Sequence, residues 1–336
     1  MSSVVPAFNR GDPLSKRPGV DTQLAASLAR ALPLPPFRLA HISDLHLPPP
    51  ERGAGPELQP KRLLSRYAWR RKRLRHDPAA LAAIAADVRA ADPDHVAVTG
   101  DLTNFSRLEE LEAAALWLGG LGPPQAVTVS PGNHDALVGR SGAARFAPWT
   151  PWLGDEPELE FPKVRRRGPV ALVNLCSAQP TALHLAQGVL DPEQLQRLPA
   201  ILRRLRAEGA FRILLLHHPP AHGVVSRRKS LRQGPELRSI LAAEGCELVL
   251  HGHGHQATVA ALEGPEGAIP VLGAPSASSS GRHGPAARWH LFEIDRGPHG
   301  WAVRVEARGL RGGGGGVERL GRYALAPSSS VFHRPS

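Results

Sequence analysis

Short apolar runs recur along this chain, and five of them end abruptly in polar residues. Phe37–Ile42 runs into Ser43-Asp44-Leu45-His46, and His95–Thr99 into Gly100-Asp101-Leu102-Thr103-Asn104. Ala126–Val129 leads to Gly132-Asn133-His134-Asp135, Phe211–Leu216 to His217-His218-Pro219-Pro220, and Leu248–Leu250 to His251-Gly252-His253-Gly254-His255. Continuous apolar runs of about four to eight residues read as strands buried on both faces. Segments of helical spacing separate them. Asp77-Pro78 opens a helix with Asp as N-cap and Pro at its first position, and Leu81, Ile84 and Val88 share its inner face. Ser106-Arg107-Leu108-Glu109 reads as a capping box for a helix that stops at Gly119-Gly120. Asp191-Pro192 caps a third helix, and a fourth is expected near Pro235–Ala243. Val170–Leu175 adds a strand, and Ala287–Ile294 with Trp301–Ala307 reads as a closing β-hairpin.

Strands alternating with helices predict an α/β layered fold, and the late consecutive strands predict mixed rather than purely parallel sheets. Residues 1–35 read as an N-terminal extension, partly ordered, with one weak helical stretch at Thr22–Ala31. The body of the fold is expected over 36–310, with a Pro/Gly-rich loop at Pro48–Pro60 and a basic insert across 48–76. Residues 311–336 read as a Gly-rich and C-terminal tail, loosely held after Arg322. There are no internal repeats.

In open α/β sheets ligands bind at the carboxyl ends of the strands. Five such ends here deliver carboxylate, carboxamide and imidazole, which is the chemistry of a metal site large enough for two cations. Asp44 and His46 are two residues apart and can reach one metal. The two oxygens of Asp101 allow it to bridge a pair. Asn133 offers a neutral oxygen, and His217, His253 and His255 offer imidazoles. Mixed oxygen and nitrogen ligation without thiolate suits Mn, Fe, Zn or Co, as divalent or mixed-valence ions. Two cations together acidify a bridging water to hydroxide, bind phosphate oxygens and neutralise charge in the transition state. His134 is more useful unligated, as a group that contacts phosphoryl oxygens or protonates the leaving oxygen, with Asp135 orienting it or meeting the backbone.

With these segments in this order, the chain resembles the calcineurin-like metallophosphoesterase superfamily over about residues 37–308. The resemblance implies a four-layer fold of two packed mixed β-sheets flanked by helices, with a dimetal site at the strand ends. It implies Asp44, His46, Asp101 and His255 around the first metal, and Asp101, Asn133, His217 and His253 around the second, with His134 catalytic. His217 directly follows its strand, although His218 fits the same motif. His251 has no ligand role in the family; with Asn104, Asp135 and His218 it is expected behind the ligands or near the substrate. The segment Phe37–Leu47 and the pair His217-His218-Pro219-Pro220 look most like the cyclic-nucleotide and glycerophosphodiester phosphodiesterase branch. The implied activity is hydrolysis of such a small phosphodiester by a metal-bridging hydroxide. UDP-diacylglucosamine pyrophosphohydrolases share Ser43-Asp44-Leu45-His46-Leu47 but carry Arg where this chain has His134. A membrane-surface enzyme acting on a lipid-linked substrate is therefore the rival reading, and a non-catalytic nucleotide-binding module a weaker one.

Composition changes this picture in one place. Of 336 residues, 41 are Lys or Arg and 30 are Asp or Glu, a formal net charge of +11. Most of this basic excess reads as solvated surface. The exception is Lys61–Arg75, with eight basic residues and no acid. Leu63, Tyr67 and Leu74 fall on one side of a helix there. Such a helix can lie on an anionic membrane, contact nucleic acid, lid the site and attract phosphates, or sit solvated over a small buried stripe. No dedicated nucleic-acid-binding domain is evident, and nothing in the sequence fixes the oligomeric state. Cys176 and Cys246 stand far apart without metal spacing, no apolar run approaches a membrane span, and Met1–Pro6 does not read as a secretory signal. A cytoplasmic protein, with a peripheral membrane location open to it through 61–75, is the expectation.

Overall fold

The computed structural model describes residues 35–50, 59–139, 142–282, 284–297, 300–311 and 316–325. The expected extension at 1–35, apart from its last residue, and most of the Pro48–Pro60 loop lie outside these residues, as do Gly312–Gly315 of the Gly-rich stretch. Two six-stranded sheets form the centre. The first joins β1 (Phe37–Ile42), β2 (His95–Val98) and β3 (Val127–Val129) in parallel. An antiparallel meander of β10 (Arg288–Gly297), β11 (Gly300–Leu310) and β12 (Val317–Leu325) adds to the free edge of β1. The second sheet runs β4 (Lys163–Arg167), β5 (Val170–Asn174), β6 (Phe211–Leu215), β7 (Leu248–His251), β9 (Ile269–Gly273), β8 (Thr258–Leu262). Its four inner strands are parallel, and β4 and β8 close its edges antiparallel.

The apolar runs explain the layers. Leu39, Ala97, Leu172, Ile213, Leu250 and Phe292 meet between the two sheets. On the outer face of the first sheet, α2 (Pro78–Ala90) and α3 (Leu108–Leu121) bury Leu81, Ile84, Val88, Leu111 and Leu118 against Val96, Val98 and Val129. On the outer face of the second, α5 (Pro192–Ala207) and α6 (Gly234–Glu244) bury Leu198, Leu202, Leu237 and Leu241 against Val173, Leu214 and Val249. The basic insert forms α1 (Pro60–Lys72), and α4 (Thr150–Leu153) is a single turn. The architecture is the expected four layers, two mixed β-sheets flanked by helices.

Several local expectations need correction. Helix α3 is capped at Arg107, not Ser106. The buried Glu110 carboxylate, rather than Glu109, turns back to accept the backbone N–H groups of Asn104 and Arg107, both at 3.0 Å, and of Phe105. Gly119 and Gly120 lie inside the helix, which runs to Leu121. The tail expected to loosen after Arg322 continues as strand to Leu325. Strands β8 and β9 were not anticipated, and β4 and β12 carry no clean apolar run. In β4 the inward positions are Lys163 and Arg165, both fully buried. Arg165 reaches carbonyls that no apolar side chain would satisfy, among them those of Val127 at 2.7 Å and Gly154 at 2.6 Å.

Parallel strands of both sheets end at one edge, and backbone bonds lock those ends together. Asp44 N donates to Gly100 O at 3.0 Å, and Gly252 N to His217 O at 3.1 Å. Between the sheets, Ala277 N donates to Ser43 O at 2.9 Å and His217 Nδ1 to Thr99 O at 2.6 Å, so the loops of the first sheet meet those of the second directly.

Candidate metal centre

Among the described residues, seven non-glycine residues have positive φ, and five of them are Asp44, His46, Asp101, His253 and His255. L-residues occupy that region at a cost, and such strain concentrates where function requires a particular side-chain direction. Here the chain turns sharply just past β1, β2 and β7, where these five residues sit. Two glycines make this geometry possible by close approach. A Cβ on Gly132 would strike the Asp101 carboxylate and backbone, and one on Gly252 would strike Ser43 Oγ and come within 2.6 Å of Asp44 Oδ2.

The structure brings most of these side chains into two groups. Asp44, His46, Asp101 and His255 form one cluster, with ligand atoms within 4.8 Å of one another, and His217, His218 and His253 form another. Asp101 Oδ2 lies 3.9 Å from His46 Nε2 in the first cluster and 3.3 Å from His217 Nε2 in the second. Its Oδ1 accepts the His134 backbone N–H at 2.7 Å. One oxygen therefore faces both clusters, whereas the sequence reading invoked two.

The protein's own hydrogen bonds leave the ligand atoms bare. Asp44 Oδ2 accepts from His253 N at 3.0 Å and contacts Ser43 Oγ at 2.7 Å, so Oδ1 is the oxygen left over, 3.2 Å from His255 Nε2. His46 Nδ1 pairs with Asn104 Oδ1 at 3.2 Å, and Asn104 Nδ2 donates to Leu47 O at 2.7 Å, which fixes the amide's orientation. His217 Nδ1 donates to Thr99 O at 2.6 Å. Asp44 Oδ1, His46 Nε2, Asn133 Oδ1, His217 Nε2 and His253 Nε2 are all buried and make no hydrogen bond of normal geometry. Buried polar atoms are rarely left unpaired. Lone pairs converging in this way, with His46 and His217 held by their other ring nitrogen, fit divalent cations.

Electrostatics agree with neutral imidazole ligands. Burial, then His76 and His134, lower the His46 pKa, and burial with His217 lowers His253 to about 3. His217 differs. Burial opposes its protonation, but the adjoining Asp101 carboxylate raises it to about 9.

The remaining expected residues fall into place around this set. His134, partly exposed, donates from Nδ1 to Asn104 O at 3.0 Å, which leaves Nε2 as its other nitrogen. Asp135 faces away from the centre. Its oxygens accept Asp101 N, Gly132 N and Thr103 N at 2.8–2.9 Å, tying the loop of β2 to that of β3. His218 holds Ser177 Oγ at 2.8 Å through Nδ1, and its Nε2 is also bare. The second cluster therefore has three imidazoles, and both members of the His217-His218 pair belong to it. His251 stays outside both clusters, with Nε2 3.4 Å from Thr258 Oγ1.

One residue escaped the sequence reading. His76, between α1 and α2, places its ring 4.2 Å from that of His46, with Nδ1 2.9 Å from Ser278 Oγ. His46, His76 and His255 make a third group of metal-ligating character. No motif surrounds His76; only its place at the end of the basic insert sets it apart.

A cleft of about 410 Å³ opens over the first cluster, lined by His46, His134, His255, Trp69, Phe105 and Lys229. A second, of about 430 Å³, is lined by Leu45, Pro48, Leu74 and Leu81 and shares His46, Trp69 and His76 with the first. Trp69 stands edge-on to Phe105, ring centres 6.1 Å apart.

A model of the calcineurin-like phosphoesterase family matches residues 37–257. A search of curated proteins returns no match. Among solved structures, purple acid phosphatase from yellow lupin (Lupinus luteus) seeds aligns with a TM-score of 0.55 at 12% identity, covering 87% of this chain and 54% of that one. A dimetal phosphatase from Danio rerio aligns at 0.49 and 12% identity, over 88% of this chain and 100% of that one. A 5'-nucleotidase precursor from Thermus thermophilus aligns at 0.47 and 16% identity, over 81% of this chain and 54% of that one. This chain spans about half the length of the lupin and Thermus proteins. The likeness to the lupin enzyme, at 12% identity, is one of fold.

Proposed function

Because the chain belongs to the calcineurin-like phosphoesterase family, whose members are metal-dependent phosphoester hydrolases, we propose that it cleaves a phosphodiester, with a small cyclic-nucleotide or glycerol-type diester as substrate. The observation that carries the diester reading is the meeting of two clefts at His46, His76 and Trp69. A phosphate with two organic arms needs room on both sides of the metal centre, and a monoester needs one.

Asp44, His46, Asp101 and His255 would hold one cation, and Asp101, Asn133, His217 and His253 the other, with His218 beside them. When bound, such a pair supplies Lewis acidity toward phosphoryl oxygens and hydroxide near neutral pH. The chain's own groups do the rest. His134 is held by the Asn104 carbonyl, so its Nε2 is the atom available to carry a proton to the leaving oxygen. Lys229 and Arg75 line the cleft and draw in an anion. Trp69 offers a flat apolar wall for a planar arm.

The metal-loaded enzyme is expected to favour bis(p-nitrophenyl) phosphate over p-nitrophenyl phosphate in kcat/KM. A preference for the monoester overturns the diester reading. Trp69→Ala should lower kcat/KM for a cyclic nucleotide by roughly tenfold, on the scale of base–aromatic stacking, and leave a glycerophosphodiester nearly unchanged. Equal losses on both substrates would remove Trp69 from recognition.

A further inference from the structure

Helix α1 is turned inside out relative to an ordinary surface helix. Its basic side chains do the anchoring. Lys61 Nζ donates to Thr181 O at 2.8 Å, and Arg62 donates to the carbonyls of Phe105 at 2.8 Å and Ser106 at 3.0 Å. Trp69, on this same inner face, enters the cleft. The apolar side chains point outward: Leu63 is 50% exposed, Leu64 48%, Tyr67 59% and Leu74, just past the helix, 59%. Among the described residues eight large apolar side chains are exposed, and half of them lie in this one segment. Scattered exposed leucines need no explanation, but a clustered set does. The sequence reading allowed for a solvated helix over a small buried stripe; Leu63, Tyr67 and Leu74 are instead the exposed side.

The same face is basic. Arg70 and Arg71 are exposed among these residues, and Arg71 lies over the Tyr67 ring at 5.7 Å. No acidic residue occurs from Gln59 through His76. Apolar side chains alternating with long cationic ones, whose heads can rise to a polar layer while their stems stay apolar, match the interface of an anionic bilayer. We propose that the outer face of α1 docks on an anionic lipid surface and holds the cleft beside it. Because Trp69 and the outward leucines sit on opposite faces of one short helix, lipid contact would occur within a helix diameter of the substrate path.

Co-sedimentation of the full-length, Mn²⁺-loaded protein tests this, using phosphatidylcholine vesicles and vesicles with phosphatidylglycerol at about 7:3. The wild type should bind the anionic vesicles, lose binding in high salt, and leave neutral vesicles largely unbound. Leu63→Gln/Leu64→Gln/Tyr67→Gln should abolish binding. Arg70→Gln/Arg71→Gln should weaken it about thirtyfold, given roughly fivefold per basic residue at such a surface. Both variants should keep wild-type activity on bis(p-nitrophenyl) phosphate, which shows that they fold. Absence of wild-type binding, or unchanged binding by the two variants, overturns the proposal. So does self-association of the wild type, lost in the triple variant, without vesicle binding, because the occupant is then a second copy. Vesicle binding and diester hydrolysis are separate readouts, so either proposal can fail without the other.

Discussion

Asp101→Asn should reduce turnover to below about one-thousandth of wild type, a loss of roughly 4 kcal/mol in transition-state stabilisation, and should strip metal from the protein. The reason lies in how the carboxylate is held. Oδ1 accepts the His134 backbone N–H at 2.7 Å, so a carboxamide must put its oxygen there to keep that bond. Its NH₂ group then occupies the place of Oδ2, facing His46 Nε2 and His217 Nε2. A donor replaces a charged acceptor at the point where both clusters meet. Elemental analysis alongside kinetics on bis(p-nitrophenyl) phosphate reads both effects. A variant with full activity and an unchanged metal content would show that Asp101 is not shared between two cations.

His134→Ala should behave differently. Both cations should stay, because the ring is not a member of the two main ligand clusters and the amide that holds Asp101 survives the substitution. The rate should fall by roughly 10²–10⁴, the usual contribution of a positioned acid–base group. If the lost step is protonation of the leaving oxygen, the deficit should shrink for nitrophenolate and grow for an alkoxide. A deficit that ignores leaving-group pKa would assign His134 to phosphoryl-oxygen contact instead. Loss of metal in this variant would make it a ligand.

The strand ends were legible because their signal is local. An apolar run followed by Asp, Asn or His is visible without knowing which strand pairs with which, and Phe37–Ile42 and Phe211–Leu215 emerge almost residue for residue. The candidate ligands stood out for the same reason. What the sequence hid depends on tertiary partners. Lys163 and Arg165 look like loop cations until the carbonyls they satisfy are in place. Glu110 looks like any helix-surface acid until it gathers the amides of Asn104, Phe105 and Arg107, and so steadies the residue that orients His46. His76 lies 30 positions beyond His46 with no motif around it, and only the return of the chain after α1 brings the two rings together. The direction of α1 was hidden too, because helical spacing gives a face but not which way it turns.

The division of the candidate ligands between the two sheets has a mechanical consequence. Asp44, His46, Asp101 and Asn133 follow strands of the first sheet, and His217, His253 and His255 follow strands of the second. A cation pair held at this edge would therefore act as a rivet through both halves of the sandwich. Parting the halves would break coordination on each side, whereas fraying within one sheet would not. Free-energy linkage raises the cost of that opening by about 1.4 kcal/mol for every tenfold excess of metal over its dissociation constant. Amide hydrogen exchange should register this selectively. Protection at Leu39, Ala97, Ile213 and Leu250, between the sheets, should climb as Mn²⁺ is titrated in, while that of the outer strand β12 should hardly move.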